Sequence, residues 1–154
     1  MAKLAEALYS IVITLWVGAL FAIGYMAAPT LFAGLADRTL AGNLAGEMFT
    51  WVAWLSFACG AYLLLFLLQR RSLRALKSSI FWLVLVMLGL TGAGYFGIQP
   101  LLAQLKADAL PRQVMESALR DRFATWHGVS SGLYLIESLL GLWLVIWQER
   151  GKRQ

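Results

Sequence analysis

The sequence predicts an all-α integral membrane protein, a four-helix bundle with both termini cytoplasmic, on three observations. Apolar residues fill 60% of the 154 positions and charged residues only 14%, far from the composition of a soluble domain. Four unbroken apolar runs, at about 8–28, 46–68, 79–98 and 126–147, each approach the ~20 residues needed to cross ~30 Å of hydrocarbon. The lysines and arginines are shared unevenly between the connections.

The first run is read as a span rather than a cleaved signal. It is long for a signal core, follows a single lysine and ends in Pro29 and "TLF" instead of a small-x-small site. A β-barrel would show ~10-residue alternating segments, whereas these runs are continuous and rich in Leu, Ala and Gly. Cys59, the single cysteine, falls inside the second run and is expected to pack as a small apolar residue.

Orientation follows from the basic residues. With a cytoplasmic N-terminus, that side holds Lys3, Arg70, Arg71, Arg74, Lys77, Arg150, Lys152 and Arg153 against the acids Glu6 and Glu149. The other side holds Arg38, Lys106, Arg112, Arg120 and Arg122, balanced by Asp37, Glu47, Asp108, Glu116 and Asp121. The net charge of +5 is thus mostly a topology signal. The turn "QRRSLRALK" suits orientation and anionic lipid rather than nucleic acid.

Two outer connections join the spans. The first runs from about Thr30 to Ala45. The second, from Gln99 to Thr125, mixes apolar residues at helical spacing with charges, and Pro100 and Pro111 each stand where a helix could begin. Two short amphipathic helices are expected there, the second running into the fourth span. No internal repeat, low-complexity segment or domain boundary is visible, so residues 1–154 read as one domain.

Small residues gather toward the outer half: Gly24, Ala27 and Ala28; Gly42 and Gly46; Gly89, Gly92, Gly94 and Gly97; Gly128, Ser131 and Gly132. Small-xxx-small spacing lets backbones approach, so that half is expected to be the tightly packed one.

The fourth span carries the polar residues. At 3.6 residues per turn His127, Ser131, Tyr134 and Ser138 form a row, flanked by Ser130 and Glu137. Leu135, Leu139, Leu142 and Ile146 suit lipid or an apolar neighbour. Trp126 and Trp147 fit the two aromatic belts, placing Glu137 near the midplane. An acid there costs ~2.5–3.5 kcal/mol on translocon scales and is expected to face the interior as a neutral acid, in a structural role or as a proton or cation site. Glu47, at the outer start of the second span, is the expected partner of His127; a first-turn carboxylate and an interfacial ring are the plainer readings of the two.

One histidine and one distant cysteine do not make a metal cage, and no catalytic triad or phosphate loop appears in its required context. A haem held by His127 with Met26 or Met48 is the alternative cofactor. The candidate ligand-binding set is therefore His127, Glu47, Ser130, Ser131, Tyr134 and Glu137, with no catalytic residue assigned.

The segments "LWVGALFAIGYMAAPTLF" and "RFATWHGVSSGLYLIE" resemble the transmembrane protein 205-like family, also called domain of unknown function 4149. The resemblance covers nearly the whole chain and marks Trp16, Gly18, Pro29, Phe32, Phe123, His127, Gly128 and Ser130. It implies a four-span protein, here a bacterial member. It implies no reaction: bacterial members are uncharacterised, and animal relatives are linked to platinum-drug resistance without an agreed mechanism. The first span also resembles four-helix haem proteins of the porphyrin and copper-resistance types, but it has no histidine.

Three functions stand side by side: a binding or transport-accessory protein with an outer polar groove, a haem redox protein, and a structural subunit of a membrane complex. The expected partners are the lipid bilayer, a second copy or another membrane protein, and no nucleic acid. Reporter fusions after Gln69 and at Gln154 should both report cytoplasm; an external signal from either would overturn the orientation.

Overall fold

The computed structural model describes residues 2–110 and 113–150. Among them every regular element is helical: α1 (Ala2–Phe21), α2 (Ala28–Gly34), α3 (Arg38–Arg71), α4 (Ser79–Gly92), α5 (Gln99–Asp108) and α6 (Arg120–Arg150). Four stretches, Leu4–Gly34, Arg38–Arg70, Ser79–Asp108 and Arg120–Gln148, are long and apolar enough to cross a membrane. The chain is a multi-pass membrane protein. Its four spans form a ring in which each packs on its sequence neighbours and the fourth closes against the first. We call the end where α1 begins and α6 finishes the terminal end, and the other the far end.

The helices run further than hydropathy suggests. The first connection shrinks to the residues between Gly34 and Arg38, because Asp37 caps α3 by accepting from the backbone N–H groups of Thr39 (2.8 Å) and Leu40 (3.1 Å). The first expected amphipathic helix is no separate element either, for α5 continues the third span in line through a π turn. The second is a 3-10 turn at Val114–Glu116, after which α6 starts at Arg120. The helix start expected at Pro111 lies outside the described residues.

Two π turns, Ala22–Ala27 and Ala93–Ile98, interrupt the first and third spans, and each ends just before a proline-bearing helix. The cause is the proline. Its ring would clash with the carbonyl four residues back, and an i to i−5 turn, closed by Ala28 N–H on Ile23 O and by Gln99 N–H on Gly94 O, makes room.

These turns reveal a repeat that the sequence alone conceals. One register shift carries Ile13, Trp16, Val17, Leu20 and Pro29 onto Val84, Met87, Leu88, Thr91 and Pro100. A second carries Ser56, Gly60 and Leu63 onto Glu137, Gly141 and Leu144. The equivalence extends to contacts: a Cβ on Gly60 would collide with Leu88, and one on Gly141 would lie 3.2 Å from Val17. Spans one and two thus form a helical hairpin that spans three and four repeat. Few of the matched positions are alike as letters: Pro29 with Pro100, Gly60 with Gly141 and Leu63 with Leu144 are identical, and the others differ.

The main core lies across the middle, where Ile13, Trp16, Leu63, Val84, Met87 and Leu144 are wholly buried. A smaller cluster of Leu67, Ala75 and Phe81 closes the terminal end. At the far end α2 packs on α3 and α5 packs on α6, with Ala28, Ala41, Ala45, Ile98 and Leu105 buried. Most of the clustered glycines do not do this packing. Around Gly46, Gly89, Gly92, Gly94, Gly97, Gly128 and Gly132 an added Cβ would meet nothing within 4 Å. Close approach occurs at Gly24, which belongs to the first cluster, and at Gly60 and Gly141, which belong to none.

Gly24 is the most demanding of these, since a Cβ would enter the ring of Tyr134, which is pinned by its hydroxyl to Leu20 O. Gly24→Ala should therefore cost about 1–3 kcal/mol as overpacking. Gly18→Ala, with open space around it, should be neutral or stabilising by up to ~1 kcal/mol from helix propensity. Denaturant unfolding in detergent micelles reads both, and equal midpoints for the two variants would contradict the packing described.

Candidate functional site

The polar residues of the fourth span sit at graded depth along one interior line of α6. Leu144, Gly141 and Glu137 are buried, Tyr134 and Ser130 half-buried, and Trp126 and His127 exposed. Every position from Ala124 to Val129 is exposed. At this level α6 packs on α5 and on the second π turn, with no comparable packing on α2 or α3 among the described residues, so its inner line is less covered here than at the middle of the bundle.

Tyr134 stands at the deep end of this half-covered line. Its ring packs edge-on to Phe49 of α3 at 5.1 Å and lies 6.2 Å from Tyr25 in the first π turn, and its hydroxyl donates to Leu20 O at 2.7 Å. Three spans meet on this one side chain. Above it, His127 stacks on Phe123 of its own helix, with centroids 5.8 Å apart and planes 5° from parallel. Ser131, on the flank, spends its hydroxyl on His127 O at 2.9 Å.

Below Tyr134 lies a polar layer in the middle of the apolar core. Glu137 is 5% exposed, and its Oε1 lies 2.7 Å from Thr91 Oγ1 on α4. That same hydroxyl lies 3.0 Å from Met87 O. In the other hairpin, Trp16 Nε1 donates to the fully buried Ser56 Oγ at 2.8 Å. Ser138, beside Glu137, donates to Tyr134 O at 2.8 Å. Sequence reasoning found Glu137 but missed Thr91 and Ser56. The signal was present, for Thr91 is the one non-aromatic polar side chain between Ser79 and Gln99.

The expected pair of His127 and Glu47 does not form. Among the described residues the ion pair present is Arg70 with Glu6, at the terminal end, and no hydrogen bond joins Glu47 to His127. The reason is helical phase. Ala41, Ala45, Val52, Ser56 and Cys59 define the buried face of α3, and Glu47 falls on the opposite, exposed face.

The remaining marked positions divide by role. Trp16 is core; Gly18 is exposed; Pro29 follows the first π turn; Phe32 packs 3.8 Å from where a Cβ on Gly42 would stand. Phe123 carries the His127 ring, and Gly128 faces open space. Gln99, just after the second π turn, donates to Thr50 Oγ1 at 2.8 Å and ties the third span to the second. Among the described residues no group of three or more His, Cys, Asp or Glu side chains is placed to hold a metal ion. Met26, the first haem-ligand candidate, is 70% exposed, which adds nothing to the haem reading.

Residues 11–111 match the family described as Domain of unknown function (DUF4149). The chain belongs to that family. The match covers the first three spans, both π turns and α5, and stops before α6, so the His127 motif and Glu137 lie beyond it. Comparisons with curated proteins and with solved structures give no match.

Two double-mutant cycles test this geometry. His127→Ala with Glu47→Ala should be additive within ~0.3–0.5 kcal/mol, as for residues without shared partners. Trp16→Phe with Ser56→Ala should couple by about 0.6–1.7 kcal/mol, the range seen for hydrogen bonds between membrane helices. Coupling in the first cycle, or none in the second, would reject the contacts described.

Proposed function

We propose that the protein binds a small ligand or ion in a cleft beside α6, in a binding or transport-accessory role rather than a catalytic one. The observation that carries this reading is the falling burial along the interior line of α6, from Glu137 through Tyr134 and Ser130 to His127. A helix face that should be covered is left open, and it carries an imidazole and a hydroxyl above an aromatic floor. His127, Ser130 and Tyr134 are its lining groups. Ser131 lies on its flank, Glu137 beneath its floor and Glu47 outside it.

The bias of basic residues supports a cytoplasmic terminal end and an outer far end, so that the cleft opens outward from the cytoplasmic membrane. The two motifs in the first and fourth spans support a transmembrane protein 205-like, bacterial member that works as one four-span domain. A structural subunit would need no open cleft, and a haem protein would show its cofactor in the optical spectrum after mild purification.

Cysteine accessibility tests the cleft. In a Cys59→Ala background, a membrane-impermeant maleimide should label Ser130→Cys on the cleft side and leave Val129→Cys, at nearly the same depth but about 100° round the helix on its exposed, lipid-side face, unlabelled. Equal labelling of the two, or labelling of neither, would overturn the proposal.

A further inference from the structure

The contact between Glu137 and Thr91 contains a proton count. A threonine hydroxyl has one hydrogen to donate, and a backbone carbonyl has none. Thr91 Oγ1 nevertheless lies 3.0 Å from Met87 O and 2.7 Å from Glu137 Oε1, both within hydrogen-bond reach of two oxygens. If Thr91 gives its hydrogen to Met87 O, the hydrogen in the second contact must come from the carboxyl group.

The alternative is an ionised Glu137 accepting from Thr91. It leaves Met87 O facing a hydroxyl without a hydrogen, and it buries a charge with a single neutral partner. No countercharge is within the layer. Along the first span no charged residue stands between Glu6 and Asp37, along the second none between Glu47 and Arg70, and along the third none between Lys77 and Lys106. On α6 the nearest ionisable groups are the Tyr134 phenol, whose hydrogen goes to Leu20 O, and His127, which is exposed near the far end. The other titratable groups on those intervals are the phenols Tyr9, Tyr25, Tyr62 and Tyr95 and the thiol Cys59. None of these can supply a positive charge.

A metal ion does not substitute for the proton. An oxygen pair 2.7 Å apart has the separation of an O–H···O bond, whereas a cation seated between two oxygens at more than ~2 Å from each would force them further apart.

We propose that Glu137 and Thr91 form a proton-binding site at the middle of the bundle, in which the neutral carboxyl donates to Thr91 Oγ1 and Thr91 donates to Met87 O. The ligand is one proton. The site needs neither the cleft nor its ligand, so it stands or falls separately from the binding role proposed above. The repeated hairpin supplies the contrast: Ser56, the counterpart of Glu137, receives the indole N–H of Trp16 and is purely structural.

Infrared spectroscopy of the full chain in lipid bilayers tests the proposal. At pH 7 the wild type should show a protonated-carboxyl C=O band in the low-frequency, hydrogen-bonded range. Glu137→Gln should remove that band, Thr91→Val should shift it upward, and Thr91→Ser should restore its position. An absent band in the wild type, or a band unchanged by Glu137→Gln, overturns the site. A band lost in Glu137→Gln but unmoved in Thr91→Val overturns the relay through Thr91. If Glu137→Gln does not fold, Glu137→Asp serves, because the shorter acid must lose or lengthen the bond and move the band; a band left in place overturns the assignment to Glu137.

Discussion

The middle of this bundle lies at the depth of the bilayer's hydrocarbon, which offers no hydrogen bonds, and that constraint governs most of what the chain does there. In hydrocarbon a polar group left without a partner costs several kcal/mol, so each one must find its partner inside the protein. Thr14, Thr30, Thr50, Thr91, Thr125, Ser131 and Ser138 all return their hydroxyls to the carbonyl one turn earlier. Those bonds are local and join no two spans. The bonds that tie span to span within the bundle include Trp16 to Ser56, Thr91 with Glu137, Gln99 to Thr50, Tyr134 to Leu20 O and Trp54 to Tyr95, with Lys106 to Gly42 O and Arg70 to Glu6 toward the two ends. The prolines obey the same constraint, since each removes a backbone donor in a place where water cannot compensate, and the π turn ahead of it rearranges the ladder.

The repeat of the two hairpins shows how one scaffold can hold two kinds of polar layer. Where packing must be exact in volume, the halves agree: Gly60 receives Leu88 as Gly141 receives Val17. Where chemistry is concerned they part. In the first hairpin the deep polar position is a serine sealed by a tryptophan, and nothing there can titrate. In the second it is a carboxylic acid whose partner is a small hydroxyl. A scaffold under packing constraint alone would favour the first solution in both halves, because a buried acid weakens a membrane helix by more than a serine does.

Much of this was legible in the sequence, and the reasons separate cleanly. The four spans, and Glu137 as the deep polar residue of α6, follow from hydropathy and from the position of the two belt tryptophans. Helix length was underestimated, because hydropathy stops at the first charge while the helix runs on to its cap at Asp37 or its in-line extension α5. The pairing of Glu47 with His127 failed because axial depth was considered without helical phase, and Glu47 points away from the buried face of α3. Of the clustered glycines Gly24 does receive a neighbour and most others do not, because a glycine permits close approach but does not compel it. The repeat was missed because its identical pairs, Pro29 with Pro100, Gly60 with Gly141 and Leu63 with Leu144, stand among pairs such as Leu20 with Thr91 and Ser56 with Glu137 that look unrelated as letters.

The acid that breaks the match between the hairpins and the thinly covered inner line fall on the same helix. Glu137 is carried by α6, which is exposed at every position from Ala124 to Val129. Tyr134 separates the two features by a single turn, held at once by Gly24 beneath its ring, by Phe49 beside it and by Leu20 O at its tip. A buried acid and a thinly covered face each weaken the hold of a membrane helix, and α6 carries both on the support of α4 and α1, the two helices it packs on most.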